Sequence, residues 1–520
     1  MVGNLDIAYG VEAIVSELVE REVRLNKRLC RLLHNTFKDT LNEVKEGTTM
    51  FCGSHQCMVI LEEVLVVARR VECFVRDCCC TDYVIAAIKA VDSRDRFAKL
   101  FADLGFCCVL AKSLKMECGK SRQEIRNYDW EKEMNLRSKV GIAAAEDKRE
   151  IIGVMRELVS KGLVDNKGDH RKVCQTLLAR LTGGGHKPRD EHSQDPPSFE
   201  EEVELKKGGQ AKVFKAKWKG HWFVLKEFII QCNQDETFKN EVRILEGLCH
   251  PNILNMVCHY TLPFPANESC EYGIIVTEKM SKDLDAFLQG RAASARGAGH
   301  LYLPPLETVE IMLQMSDGLT YLHSIEPKVA HRDVKPQNIL ITENPLVVKV
   351  ADFGLSKVKS EISNSEQSLN KGTTKFIAPE LLRESMGAIP SPSGARTEKK
   401  DSKWLKLGSK SARDPVNVAT NHQDKPKVNA NNLKADVYSF GITCSVILSG
   451  QEPYQDILYG EVRSAVVGGK RPELPSATPL KLRRLLERCW HKDPNERPFF
   501  LEIGKELRKL KVEWLLGTHA

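Results

Sequence analysis

The sequence predicts a multidomain chain, all-α over residues 1–182 and mixed α and β from residue 200 onward. Three observations carry this. No proline occurs between Met1 and Lys187, as long uninterrupted helices require. Apolar residues in that stretch recur at three-, four- and seven-residue steps, the period of one helix face. Glycine and proline then crowd together from Gly183-Gly184-Gly185 to Pro196-Pro197, which is linker composition; strand-like apolar runs and spaced polar motifs follow.

Taken in order, Val11, Ile14, Leu18, Leu25, Leu29 and Leu32 predict a first helix that ends at a Gly47–Gly53 break. Glu17, Glu20, Arg21, Arg24, Lys27 and Arg28 fill its polar face. A second helix carries Met58, Leu61, Leu65, Val66 and Val71. A third starts at Thr81 or Ser93 and runs to Met116, with Gly119 as its stop. One or two more polar helices occupy 121–182, with Ile151, Ile152, Val154, Met155, Leu158 and Val159 as their apolar stripe. Short breaks between long amphipathic helices favour an antiparallel bundle. The expected organisation is a bundle over 1–118, a helical brace over 119–182, a flexible linker over 183–199 and a second folded domain over 200–515.

Composition narrows the classes. With 42% apolar and 28% charged residues, neither a fibrous nor a wholly disordered chain is expected. The net charge of +7, from 77 basic and 70 acidic residues, is too small to argue for a nucleic-acid partner. It is compatible with transient attraction to an anionic membrane surface. Met1-Val2-Gly3-Asn4 lacks a basic n-region and an apolar h-region, so no secretory signal is read. Glycine at position 3 instead of 2 removes the myristoylation reading. The apolar stretch Met58–Ala68 is interrupted by Glu62 and Glu63, and no run reaches the roughly 18 apolar residues of a spanning helix. A cytoplasmic protein with conditional membrane association is the expectation. Seventeen cysteines in a long chain without a signal point to free thiols in a reducing compartment. Cys52 and Cys57 with His55 between them lack the second pair that tetrahedral zinc needs. The Cys78-Cys79-Cys80 triplet is read as structural before it is read as a palmitoylation site.

The chemistry lies in His331-Arg332-Asp333-Val334-Lys335-Pro336-Gln337-Asn338, followed after twelve residues by Ala351-Asp352-Phe353-Gly354. A carboxylate is placed to orient a hydroxyl; an amide and a second carboxylate are placed to hold Mg²⁺ against a nucleotide's phosphates. Upstream stand Val224-Leu225-Lys226, then Phe238-Lys239-Asn240-Glu241 fifteen residues from that lysine, then His250-Pro251-Asn252-Ile253. Downstream stand Gly372-Thr373-Thr374 through Ala378-Pro379-Glu380, Asp436-Val437-Tyr438-Ser439-Phe440-Gly441, and Cys489-Trp490 with Arg497-Pro498. This set resembles the eukaryotic protein-kinase family over about 200–515, and its Cys-Trp ending resembles the tyrosine-kinase-like serine/threonine branch. The helical order before it is similar to the plant mixed-lineage kinase domain-like family, whose HeLo-type bundle can associate with membranes when released.

The resemblance implies a bilobal α+β fold, ATP and Mg²⁺ as cofactors, and protein substrates. It implies catalytic roles for Asp333, Lys335 and Asn338, and metal binding by Asn338 and Asp352. It assigns the nucleotide to Leu205, Gly208, Gly209, Val213, Lys226, Glu241, Thr277, Glu278 and Met280. Leu245 is expected against Phe353 and His331, and Arg497 against Glu380. Ser356, Ser360, Ser363, Ser365, Ser368, Thr373 and Thr374 lie where phosphorylation would order an activation segment through Arg332.

Two departures from the pattern stand out. The three loop glycines align with Lys206, Gly208 and Ala211, so one survives where backbone amides must approach phosphates closely. Between Glu380 and Asp436 lies an insertion at about 385–431, rich in serine, lysine, proline and asparagine, which reads as a basic surface loop. Two functions follow from the whole. One is an ATP-dependent serine/threonine kinase regulated by its bundle; the alternative is a nucleotide-binding pseudokinase switch that controls a membrane- or partner-binding bundle, or its self-association.

Overall fold

The computed structural model describes residues 2–50, 55–115, 137–160, 171–182, 197–207, 211–231, 236–265, 270–291, 302–354, 357–358, 373–387 and 430–517. Among the described residues seven helices come first: α1 (Val2–Arg21), α2 (Lys27–Met50), α3 (His55–Cys78), α4 (Tyr83–Ala90), α5 (Ser93–Lys115), α6 (Arg137–Ser160) and α7 (Arg171–Thr182). The predicted first helix is in fact two. Residues 22–26 interrupt it, and Asn26 adopts φ +54°, a left-handed conformation that asparagine tolerates. The freed amide of Arg24 donates to Cys78 O at 3.0 Å, so the break is stitched to the end of α3. The apolar period ran across the break because both helices bury their stripe in one core, Val11, Val15 and Leu18 from α1 with Leu29, Leu33 and Phe37 from α2. Ile14, expected inward, is exposed.

Gly47 is not a break either. It lies within α2, where a Cβ would meet Ala111 O at 2.6 Å; the glycine lets α2 and α5 pack backbone to backbone. The third predicted helix divides into α4 and α5. Asp82 caps α4 by accepting from Val84 N at 2.8 Å and Ile85 N at 3.2 Å, which satisfies two of the orphan donors at a helix start. Cys30, Cys57, Cys78 and Cys107 are buried thiols in the bundle core; Cys52 lies outside the described residues. Of the stripe on α6, Ile151 and Met155 are fully buried.

The second part has two lobes. The upper lobe is a five-stranded antiparallel sheet, β1 (Glu201–Lys207), β2 (Ala211–Trp218), β3 (His221–Gln231), β4 (Met256–Pro263) and β5 (Cys270–Glu278), in the order β1-β2-β3-β5-β4. Helix α8 (Glu236–Gly247) packs on one of its faces. The strands are apolar on both faces. Phe228 and Ile230 of β3 face the core that includes Phe238 and Leu245 of α8. Phe223 and Leu225, offset by the two-residue strand period, instead share a core with Val84, Ile88, Met155, Val173 and Leu177 of the N-terminal helices. The upper sheet is therefore covered on both sides.

The lower lobe is mostly helical: α9 (Leu284–Arg291), α10 (Pro305–Ser324), α11 (Pro379–Gly387), α12 (Ala430–Ser449), α13 (Tyr459–Val467), α14 (Leu480–Cys489) and α15 (Phe500–Leu515). Short strands β6 (Lys282–Asp283), β8 (Ile339–Glu343) and β9 (Leu346–Val350) form one small sheet; β7 (Val329–Ala330) and β10 (Lys357–Val358) pair separately. Val512, Leu515 and Leu516, at the end of α15, belong to the bundle core. No helix among the described residues is long and apolar enough to cross a membrane.

Candidate active site

Strand β3 presents Lys226 on the face that α8 covers. Its ammonium lies 2.8 Å from both oxygens of Glu241 and 2.9 Å from Asp352 Oδ1. Helix α8 reaches this position because its apolar side is anchored. Phe238 packs against Phe228 with ring centroids 5.6 Å apart. Gly273 of β5 leaves room for it, since a Cβ there would meet Phe238 carbons at 2.9 Å and Ile230 Cδ1 at 2.5 Å. Burial alone would lower the Lys226 pKa, but the Glu241 and Asp352 charges outweigh it and raise it. Burial tends to raise the Asp352 carboxyl; Lys226 reverses this and holds it down to about 2. Both groups are therefore ionised at neutral pH, although burial keeps Glu241 above its ordinary range despite Lys226.

The loop after β7 supplies the second half. The buried Asp436 carboxylate accepts from His331 N at 2.8 Å and Arg332 N at 2.7 Å, and lies 2.8 Å from His323 Nε2. It holds a backbone in which Arg332 takes φ +69°. The His331 ring donates to Ala351 O at 3.0 Å and packs on Phe353, 5.2 Å between centroids; Leu245 and Phe353 share one core. Asp333 Oδ2 accepts from Lys335 Nζ at 2.7 Å and from Asn338 Nδ2 at 2.8 Å. The Asn338 amide also donates to Asp333 O at 2.8 Å. Asp333 Oδ1 is buried and has no hydrogen-bond partner among the described residues. In a native site such an orphaned acceptor asks for an explanation, and a carboxylate oxygen of this kind is able to accept from a hydroxyl.

The structure thus brings Lys226, Glu241 and Asp352 together, and Asp333, Lys335 and Asn338 together. Asp436 was legible only as part of a motif; its holding role has no local signature. Thr277 is buried and Glu278 half-buried at the end of β5. Met280 Sδ accepts from Thr342 Oγ1 at 3.8 Å. Val213 is half-buried and pairs across the sheet with Lys226, whereas Leu205 on β1 is exposed. Gly208 and Gly209 lie outside the described residues, as do Ser356, Ser360, Ser363, Ser365, Ser368 and most of the insertion. Thr374 is buried with its hydroxyl 3.1 Å from that of Tyr459. Arg497 donates to both Glu380 oxygens, at 2.7 and 2.8 Å.

For a divalent cation the cleft offers the half-exposed carboxylate of Asp352 and the amide of Asn338. No cluster of three or more His, Cys, Asp or Glu side chains suited to a metal occurs among the described residues. One carboxylate and one amide fit Mg²⁺, which binds through one or two protein groups with phosphates and water completing its octahedron.

Comparison with known proteins agrees with this geometry. Residues 199–391 match the family model described as a protein kinase domain, and 421–507 match the one described as protein tyrosine and serine/threonine kinase. The interval between the matches falls inside the insertion. A light-sensor protein kinase of Ceratodon purpureus is 29% identical over 500 residues, which is 91% of this chain and 34% of that protein. The dual specificity protein kinase shkE of Dictyostelium discoideum is 27% identical, over 65% of this chain and 41% of its own length. The serine/threonine-protein kinase VIK of Arabidopsis thaliana is 28% identical, over 62% of each. The chain spans less than two thirds of each of these relatives.

Proposed function

Since this chain belongs to the protein kinase family, we propose that it transfers the γ-phosphoryl group of ATP to serine or threonine hydroxyls of proteins. The observation that carries this is the open, buried Asp333 Oδ1 beside an assembled Lys226–Glu241–Asp352 set. Asp333 orients the acceptor hydroxyl and takes its proton as the oxygen bonds to the γ-phosphorus, while the bond from that phosphorus to the ADP oxygen breaks. Lys335 stands on the other carboxylate oxygen, where its ammonium neutralises charge on the transferring group. Lys226, fixed by Glu241, holds the α- and β-phosphates. Asn338 and Asp352 would hold Mg²⁺, which supplies neutralisation of phosphate charge. Thr277, Glu278 and Met280 would flank the base, and Leu205, Gly208, Gly209 and Val213 the phosphates and sugar. Lys335 favours serine and threonine as acceptors, as do the names of several relatives.

The switch reading needs the N-terminal helices to leave. They share two apolar cores and buried ion pairs with the kinase domain, which favours the enzyme. The test is purified protein with labelled ATP, Mg²⁺ and a generic protein acceptor. Incorporation that falls by about a hundredfold or more in Asp333→Asn is expected from loss of the general base. Nucleotide binding with no incorporation in the wild type would overturn the enzyme.

A further inference from the structure

The N-terminal helices grip the two lobes separately. On the upper lobe, α4, α6 and α7 cover the outer face of the sheet, where Trp218, Phe223, Val257, Tyr260, Ile274 and Val276 are buried. Lys219 pairs with Asp82, and the Arg180 guanidinium donates to the carbonyls of Leu248 and Met256. On the lower lobe, Lys511 lies 2.6 Å from Glu63 and 2.9 Å from Glu310, and Lys99 lies 3.2 Å from Asp317. The two grips are joined by the short step between α4 and α5, residues 91–92.

That step touches the place where the lobes meet. Val91 O accepts from Cys249 Sγ at 3.2 Å. The Asp92 carboxylate, on a residue 4% exposed, accepts from Asn255 Nδ2 at 3.5 Å and faces Lys349 Nζ at 3.9 Å. Lys349 in turn pairs with Glu278 at 2.8 Å and donates to Ile253 O at 3.4 Å. Glu278 accepts from Asn255 N at 2.8 Å. Three segments that wall the cleft converge here: the turn after α8, the end of β5, and β9 leading to Asp352. Asp92 also precedes α5 directly, where a carboxylate usually caps the helix. Among the described residues no α5 amide donates to its side chain, in contrast to Asp82 on α4. Its Oδ2 is turned to the kinase domain instead, while Oδ1 lies 3.9 Å from the Arg96 guanidinium of α5.

We propose that the N-terminal helices form a fixed splint across the back of both lobes, and that Asp92 at its joint is a positioning residue for the nucleotide cleft. The proposal rests on the reading of this cleft as an ATP site. It deepens that reading by placing a determinant of nucleotide affinity in the helical part of the chain. Asp92 acts through Asn255 and Lys349 on the strand end that carries Thr277 and Glu278, remote from Asp333. Its loss therefore weakens ground-state binding and leaves the transfer step, a rise in KM with kcat retained.

The experiment uses the full chain. Asp92→Asn, Lys349→Met, the double variant and Lys99→Met are compared by titration with a fluorescent ATP analogue in Mg²⁺, by kcat and KM for ATP, and by thermal melting. Lys99→Met removes a splint contact distant from the cleft and controls for simple loosening. Asp92→Asn should weaken nucleotide binding about five- to tenfold with kcat within about twofold, and should be non-additive with Lys349→Met by about threefold or more. Unchanged nucleotide affinity in Asp92→Asn, additive behaviour, or an equal loss in Lys99→Met overturns the proposal. If Asp92→Asn fails to fold, Lys349→Met against Lys99→Met gives the same comparison. A wild type that binds nucleotide but transfers nothing defeats the kinase reading and leaves the binding arm intact.

Discussion

Lys511→Met is the sharpest test of how the helical and kinase parts are joined. Lys511 sits on α15 with its side chain 6% exposed, between Glu63 of the bundle at 2.6 Å and Glu310 of α10 at 2.9 Å. Burial works against the ammonium, but Glu310 and Glu63 outweigh it and raise its pKa, so it is charged across the neutral range. Glu310 has other support, from Arg70 at 2.7 Å and Gln314 at 2.8 Å; among the described residues Glu63 makes no other hydrogen bond or ion pair, and the charge of Arg70 acts on it from further away. Removing the ammonium therefore strands one buried carboxylate, at a cost of about 3–5 kcal/mol. With an unfolding entropy of about 2.1 cal/mol/K per residue, a cooperative transition of all 520 residues drops by about 3–5 °C. Scanning calorimetry resolves that. The double variant Lys511→Met with Glu63→Leu removes the stranded charge and should return to within about 1 kcal/mol of wild type. A shift below about 1 °C for the single variant, no recovery in the double, or separate melting of bundle and kinase domain would each refute the reasoning.

Two more predictions follow from buried charge. Glu380→Ala leaves the Arg497 guanidinium, whose side chain is 0% exposed, without its bidentate partner; a loss of about 3–5 kcal/mol in urea unfolding is expected, and Arg383→Ala on the same helix, exposed, should change little. Burial raises the Asp103 carboxyl to about 6, although Arg70, Lys511 and Lys99 oppose it. A folded pKa above the unfolded one means that the stability is present at low pH and lost as pH rises through about 6, a difference of about 3 kcal/mol for two units. Asp103→Asn should therefore melt higher than wild type at pH 7.5, with the gap closing toward pH 4; a gap that does not depend on pH would exclude this account.

The parts of this chain that were legible in sequence are those whose chemistry is local. Asp333, Lys335 and Asn338 sit within six residues, and one short loop brings their atoms together. The pairing of Lys226 with Glu241 and of Arg497 with Glu380 was also foreseeable, because each belongs to a motif whose partner motif is recognisable. Period, by contrast, misled at residues 22–26. Two helices that bury their stripes in one core keep the same apolar step across a break, and only the backbone of Asn26 distinguishes them. Gly47 misled for a related reason: a glycine that ends a helix and one that lets two helices touch look alike in sequence.

Contacts between distant segments left almost no trace. Glu63 reads in sequence as an interruption of an apolar stretch, yet it is the bundle's contribution to an ion pair with a residue 448 positions away. One hint was present. The runs Met256-Val257-Cys258 and Ile274-Ile275-Val276 are apolar without alternation, the pattern of strands buried on both faces. Helix α8 covers only one face of that sheet, so such runs demand a second layer. The chain carries that layer at its own N-terminus. Once α4, α6 and α7 cover the outer face, the upper lobe cannot tilt over the lower one without moving the bundle as well. In the splint proposed above, the angle between the lobes is then set by residues outside the nucleotide cleft.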